Sequence, residues 1–408
     1  MRLLIFEPGR GGHHTMYLAR MLPHLAGLAD AVDLVLHPDT PQDPSFREHL
    51  PQLPPNATVH PAPPLNPRIC PPARAVARQL LDAVDALNPD HILAPTGEAA
   101  AIGLGLSLTP PKLPPLQAAI VRTQFVQPAN TLRDRLSRRI ARAAYARCPA
   151  HRLLPIDLYA YQHIRAHYPD RFTQRFRLLP DPLDPVTDDR LTQLPNPHDT
   201  FGLNPDARYI GCAGVFSKRK GIDRLLAAFE AAQLPGDARL LLLGRCEPDT
   251  QQLLRDAQPR LGPRLHLVER FLSDDELLAA LRVMHLVVTP YLNHFGPSGI
   301  VLRAAQLGRP VLTPHTGWLG RITRDFHLGH TTDVLNADAF AQTLQEADLA
   351  AHHHQPRPAT ADLLRFHHPD NYARTWAIDL RQQLNLPPDP GVVSPDTILQ
   401  HAQTHADP

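Results

Sequence analysis

The stretch FGPSGIVLRAAQLGRPVLTP, from Phe295 to Pro314, decides how the rest of the chain is read. Its Gly-rich start feeds a short amphipathic run, which Gly308 stops and Pro310 follows into an apolar strand. A loop of this kind leaves backbone N–H groups unpaired at a helix start and aims them at one point, where the helix dipole also favours negative charge. The stretch therefore predicts a phosphate seat.

Upstream of it, strand-like and helix-like runs alternate. RYIGCAGVF leads into GIDRLLAAFEAAQ, in which Ile222, Leu225, Leu226 and Phe229 fall at i, i+3, i+4 and i+7. ARLLLLGR and RLHLVERF follow, then the helix DDELLAALRVMH with Ser273 and Glu276 as a capping box, then LVVTPY. The first half repeats the alternation with RLLIFEP, AVDLVLH from Ala31, PDHILAPT from Pro89, LQAAIVRTQF from Leu116 and FRLLPDP from Phe176. Helix-length segments begin at Ala73 and Leu132. The pattern predicts an α/β protein with two Rossmann-like, doubly wound parallel sheets. The expected domains are 1–185 and 200–365, joined through a Pro- and Asp-rich segment. A helix over 366–385, with Tyr372, Trp376, Leu380 and Leu384 along one side, is expected to cross back to the first domain, and 386–408 reads as a mostly loose tail.

Composition narrows the function classes. The 408 residues hold 41 Lys and Arg against 40 Asp and Glu, a net charge of +1, which speaks against a nucleic-acid binder. Cys70, Cys148, Cys212 and Cys246 are scattered singly, which suits a reducing cytoplasm. The apolar run before Glu7 is too short for a secretory leader, and no segment approaches the roughly 18 apolar residues of a membrane span. A cytoplasmic protein is expected, peripheral to the inner face of a membrane at most. The prolines that cluster between Leu53 and Pro67 read as loops.

Two Rossmann-like halves, the turn GVFSKRKGIDRLLAAF from Gly214 and the Gly-rich helix start together resemble the family 4 glycosyltransferases, which have the GT-B fold. In that family a G-R-x-x-x-x-K-G turn holds the donor's diphosphate. Lys220 and Gly221 match its Lys-Gly, whereas Val215 stands at the arginine position, with Lys218 and Arg219 beside it. The family's Glu-x7-Glu motif aligns with Phe295 and Arg303 in place of the two glutamates, and Gly296, Gly299, Ala304, Gly308 and Pro310 keep the loop's small residues and breakers. The segment EPGRGGHHTMYLARML resembles the family's first strand, Gly-Gly loop and first helix, with Gly11 and Gly12 as the matching pair. The resemblance implies two domains facing each other across a cleft, with the acceptor on the N-terminal and the donor on the C-terminal side. It implies a retaining, metal-independent glycosyltransferase with a nucleotide-sugar as co-substrate and no further cofactor. Its acceptor would be a glycan or a lipid-linked molecule. A catalytically degenerate binding or scaffold protein on the same fold is the alternative.

The residues themselves leave roles open. No Asp-x-Asp occurs, so a metal route to the diphosphate lacks its usual ligand motif, while fixed cations and helix N–H groups supply another route. Lys220 and Gly221 are donor-site candidates, or a solvated turn. Gly296, Ser298 and Gly299 either contact donor phosphate or form an ordinary cap with Ser298 as N-cap. Arg303 reaches ribose or phosphate oxygens, or points to solvent. His13 and His14 follow the cleft loop, and Glu98 sits at the carboxyl end of a strand, where open α/β sheets bind ligands. His14 and Glu98 are the catalytic candidates; Glu98 also suits the first turn of a helix. His352, His353 and His354 read as a solvated tract. The Arg-rich helix from Leu132 shows a charged outer face over a core helix, or else lies on an anionic membrane.

Overall fold

The computed structural model describes residues 1–10, 13–63, 65, 72–109, 111–126, 131–294 and 296–402. The chain divides into two compact units: Met1–Pro182 with His367–Pro395, and Leu183–Phe366 with the segment from Asp396 onward.

The first unit is built on β1 (Arg2–Glu7), β2 (Ala31–Leu36), β3 (Ala57–Pro61), β4 (His91–Ala94), β5 (Leu116–Ile120) and β6 (Arg152–Pro155). Their order is β3-β2-β1-β4-β5-β6, and every pairing is parallel. Helices over both faces of such a sheet explain why β1, β2, β4 and β5 read as continuous apolar runs. The order reverses between β1 and β4, which sets the loops after these two strands side by side at the carboxyl ends, where open α/β sheets bind ligands.

Two strands differ from the sequence reading. The FRLLPDP run makes only an isolated bridge, Phe176 to Leu153, alongside β6. RLLP occurs at both 152–155 and 177–180, and the two copies run together through Arg177 N to Leu153 O (3.1 Å) and Leu179 N to Pro155 O (2.9 Å). Strand β3 falls in the Pro-rich stretch read as loop. It is a half-buried edge strand, a place where prolines are tolerated.

The second unit repeats the topology with β7 (Arg208–Ala213), β8 (Ala238–Leu243), β9 (Leu265–Val268), β10 (Met284–Val288), β11 (Val311–Pro314) and β12 (Gly329–Thr332). The order β12-β11-β10-β7-β8-β9 puts its reversal between β7 and β10. The GHTT of β12 has no apolar run to announce it; its pairing with β11 alone makes it a strand.

Eight helices matter below: α1 (His13–Ala26), α2 (Glu98–Gly105), α3 (Leu132–Arg147), α4 (Ile222–Ala231), α5 (Asp274–Val283), α6 (Gly299–Gln306), α7 (Pro369–Gln383) and α8 (Asp396–Ala402). Helix α7 completes the first unit's core: Tyr372, Trp376 and Leu380 pack with α1 and the β1–β2 face. Asp379, nearly buried, takes bonds from Arg177 Nη1 (2.9 Å) and Nη2 (3.0 Å) and from Arg152 Nε (3.2 Å). Burial alone would raise this carboxyl's pKa, but the two guanidiniums outweigh it and hold the pKa below the usual value. Helix α8 lies within the segment read as loose. Its Ile398 and Leu399 are buried, and His401 reaches Asp362 at 2.9 Å.

Candidate functional site

In the second unit the turn after β7 and the loop after β10 come together. Residues 218–220 form one 3-10 turn that ends at Gly221, whose φ of +63° also opens α4. A Cβ at Gly221 would stand 2.1 Å from the Pro290 carbonyl oxygen, so only glycine permits this approach. Leu292 N donates to Arg219 O at 2.8 Å and stitches the two loops. The result seats Lys220 Nζ 3.6 Å from the centroid of the Tyr291 ring.

Lys220 has no carboxylate partner among the described residues. Burial pulls its pKa down to about 8; the Cys212 thiol opposes that shift and Arg219 adds to it. Beside it, Arg219 Nη1 donates to His294 Nδ1 at 2.7 Å. That bond leaves the proton of neutral His294 on Nε2, which faces Pro297 O at 3.3 Å. Burial and the neighbouring Arg219 push His294 down to about 4, so it stays an uncharged bridge from the cationic turn to the loop before α6.

Gly296 turns that loop at φ +88°. Ser298 occupies the N-cap position of α6 and is buried, yet its side chain makes no capping bond. The first-turn N–H groups of α6 are thus open to an anion, and a Cβ on Gly299 would meet nothing within 4 Å. Arg303, on α6, is partly exposed. Its Nη2 lies 3.5 Å from Asp274 Oδ1 on α5, whose predicted capping box between Ser273 and Glu276 is present. Phe295, Gly11 and Gly12 lie outside the described residues, as does the side chain of His13.

In the first unit the equivalent strand ends hold a different set. Glu7, the last residue of β1, is 1% exposed. Its Oε1 accepts from Gly9 N (3.0 Å) and Thr96 Oγ1 (2.6 Å) and meets His14 Nδ1 at 3.0 Å. Among the described residues, Glu7 Oε2 is buried without a hydrogen-bond partner. Gly9 makes the arrangement possible, since a Cβ there would fall 2.3 Å from His14 Nδ1. His14 is in the first turn of α1 and Thr96 follows β4, so both loops of the switch point converge on one carboxylate. A buried carboxylate with one orphaned oxygen suits a hydroxyl or other donor from a ligand.

Glu98 braces the backbone instead. Its Oε2 accepts from Arg122 N at 2.9 Å, tying the start of α2 to the loop after β5. Burial raises its pKa, and the Arg122 bond opposes the shift. Glu7, Thr96, Tyr291 and His294 went unread in the sequence. Only Glu7 carried a signal there, as a charged residue ending an otherwise apolar strand. Of the histidine tract, His353 and His354 line a groove with His327 and His330, and among the described residues no metal-holding set of His, Cys, Asp or Glu is present.

Residues 207–347, all within the second unit, match the model of the family Glycosyl transferases group 1. Among solved structures, the sucrose-phosphate synthase of Thermosynechococcus elongatus superposes with a TM-score of 0.67 at 17% identity, over 94% of this chain and 99% of that one. Anabaena Alr3699/HepE in complex with UDP gives 0.61 at 16% identity, over 93% and 99%. WaaG, a glycosyltransferase involved in lipopolysaccharide biosynthesis, gives 0.59 at 17%, over 92% and 95%. These likenesses establish the two-unit GT-B fold along nearly the whole chain. No curated protein matches by sequence.

Proposed function

We propose that the chain moves a sugar from a nucleotide-activated donor to a glycan or lipid-linked acceptor, with retention and without a metal. One observation carries the reading: a largely buried lysine, held on Tyr291 with no carboxylate partner among the described residues, shares its loops with an uncapped helix N-terminus. A diphosphate supplies the missing anion for both. Lys220 and the α6 N–H groups would stabilise the charge that develops on the diphosphate as the bond from the anomeric carbon to its oxygen breaks. The acceptor oxygen would bond to that carbon on the same face, and its proton would pass to the departing phosphate oxygen. Glu7 and His14 would then hold the acceptor's hydroxyl groups, since retention of this kind asks little of a protein base.

Anabaena HepE is described in complex with UDP, which makes UDP the first nucleotide to try. Calorimetry across nucleoside diphosphates tests the reading. Binding by at least one of them, weakened by Lys220→Ala, is expected; no binding that this substitution alters would sink it. The scaffold alternative draws on Arg303, whose pairing with Asp274 leaves no carboxylate at that position for a ribose. Nucleotide binding without transfer to any lysate glycan, followed by mass spectrometry, would favour it.

A further inference from the structure

Helix α3 presents two faces of different character. Its last turns are anchored in the first unit: Ala144 and Tyr145 are its only buried residues, and Tyr145 packs on Phe125 with ring centroids 4.8 Å apart. Gly105 of α2 lies so near Ala144 O that a Cβ would stand 1.9 Å away. Its start is fixed by a capping box between Thr131 and Asp134. Between these ends the sequence left open a charged outer face over a core helix or a face lying on an anionic membrane, and the structure exposes the apolar stripe as well as the charges. Leu132, Leu136 and Ile140, at i, i+4 and i+8, are 81%, 61% and 45% exposed.

The stripe continues at helical spacing through Ala143 to Arg147. Arg147 Nη2 donates to the carbonyls of Ser107 and Leu108 and so holds Leu108, 95% exposed, at the same end. Arg133 lies on one side of the stripe and Arg135, Arg139 and Arg142 on the other. Among the described residues no carboxylate pairs with any of these four. The helix carries six arginines against one aspartate, whereas the whole chain carries a net charge of only +1. Positive charge is thus concentrated around exposed leucines in a chain that is otherwise balanced.

We propose that this face of α3 docks on an anionic lipid bilayer, with Leu132, Leu136 and Ile140 entering the interface and the flanking guanidiniums on lipid phosphates. Both halves of the pattern point to that occupant. Exposed leucines opposite the anchored face ask for an apolar medium, and arginines on both flanks match a plane of phosphates. Among the described residues no helix is long and apolar enough to cross a membrane, so the contact is peripheral. It does not depend on the donor site.

Flotation of the full chain with phosphatidylglycerol–phosphatidylcholine vesicles tests it. Binding is expected at low salt and should fade as salt rises, with none to pure phosphatidylcholine. Leu132→Ser/Leu136→Ser should weaken partitioning by about ten-fold or more. Each of Arg135→Ser and Arg139→Ser should cost about five-fold at low salt. All four positions are exposed or lie on the free face, so melting curves should not change. Absence of flotation with the anionic vesicles, or flotation indifferent to these substitutions, overturns the proposal. So does retention on polyglutamate without flotation, which would assign the face to an acidic protein.

Discussion

The first strand of each unit ends in the same topological place with opposite chemistry. Strands β1 and β7 both lie at the reversal of a six-stranded parallel sheet, and in both units the loop after the first strand meets the loop after the fourth. At β1 the meeting point is a carboxylate, Glu7, taking up Thr96 and His14 on one oxygen. At β7 it is an ammonium, Lys220, lying on Tyr291 and beside an Arg219–His294 bridge. The sheet topology decides where a ligand can approach; a few loop side chains decide which charge it must carry. Among the described residues each site also leaves one buried polar group short of partners: Glu7 Oε2 is an unmet acceptor and Lys220 a cation without a carboxylate.

The largest effect should come from removing that cation. Lys220→Met is expected to weaken UDP binding by about 100-fold, the range for a charge-assisted contact of ~2–3 kcal/mol, and not to lower the melting temperature, because a buried charge is removed with it. Glu7→Gln should leave the same affinity unchanged. If Glu7→Gln weakened UDP binding as much, the two strand ends would not be separate sites.

Titration provides the next test. Below about pH 8 Lys220 is already charged and meets the diphosphate without taking up a proton. Above that value binding must protonate it, so affinity should fall by about ten-fold per pH unit until the higher pKa of the complex is reached. Lys220→Arg should flatten the slope, since a guanidinium does not titrate in this range. A wild-type profile that stays flat between about pH 8 and 9.5 would mean that Lys220 is not on the anion.

The acceptor end should respond more modestly. Glu7→Gln keeps the shape of the side chain but replaces an acceptor with a donor, so an acceptor hydroxyl loses its partner while the fold keeps its packing. Its KM for acceptor should rise by about ten-fold, with KM for donor unchanged, as read by initial rates with each substrate varied. An equal change in both would tie Glu7 to the donor instead.

Much of this architecture was legible before any coordinates. Strands β1, β2, β4 and β5 announce themselves because both faces are buried, and β7, β8, β10 and β11 do the same in the second unit. Strands β3 and β12 did not: each is an edge strand with no continuous apolar run, defined by its pairing with the strand before it. Lys220 and Gly221 could be named from their match to the Lys-Gly of the resembled family, and Gly221 and Gly296 also because a positive φ asks for glycine. Tyr291 and His294 could not, since their roles follow from Gly221 letting Pro290 close against the turn. Nothing in the spacing of Arg219 and His294 foretells their bond. Helix α3 stayed open between two readings for a related reason: periodicity reveals two faces but not which one the fold will cover.

The smallest effect expected is at Arg303. By position it replaces a glutamate that in the resembled family holds the ribose, and its pairing with Asp274 keeps the guanidinium on α5. At 3.5 Å, with Asp274 43% exposed, the pair is a weak one of about 0–1 kcal/mol. Arg303→Ala should therefore change both UDP affinity and stability by less than about three-fold and ~1 kcal/mol. Restoring the carboxylate with Arg303→Glu would place it beside Asp274 and expel it from α5 by like-charge repulsion. If that variant binds UDP more tightly than Arg303→Ala, the α6 face still borders the ribose, and the cationic strand end of the second unit retains a complete nucleotide site around a lost contact. If the two variants bind alike, nucleotide recognition rests on the diphosphate alone, and the charge contrast between β1 and β7 accounts for the whole of it.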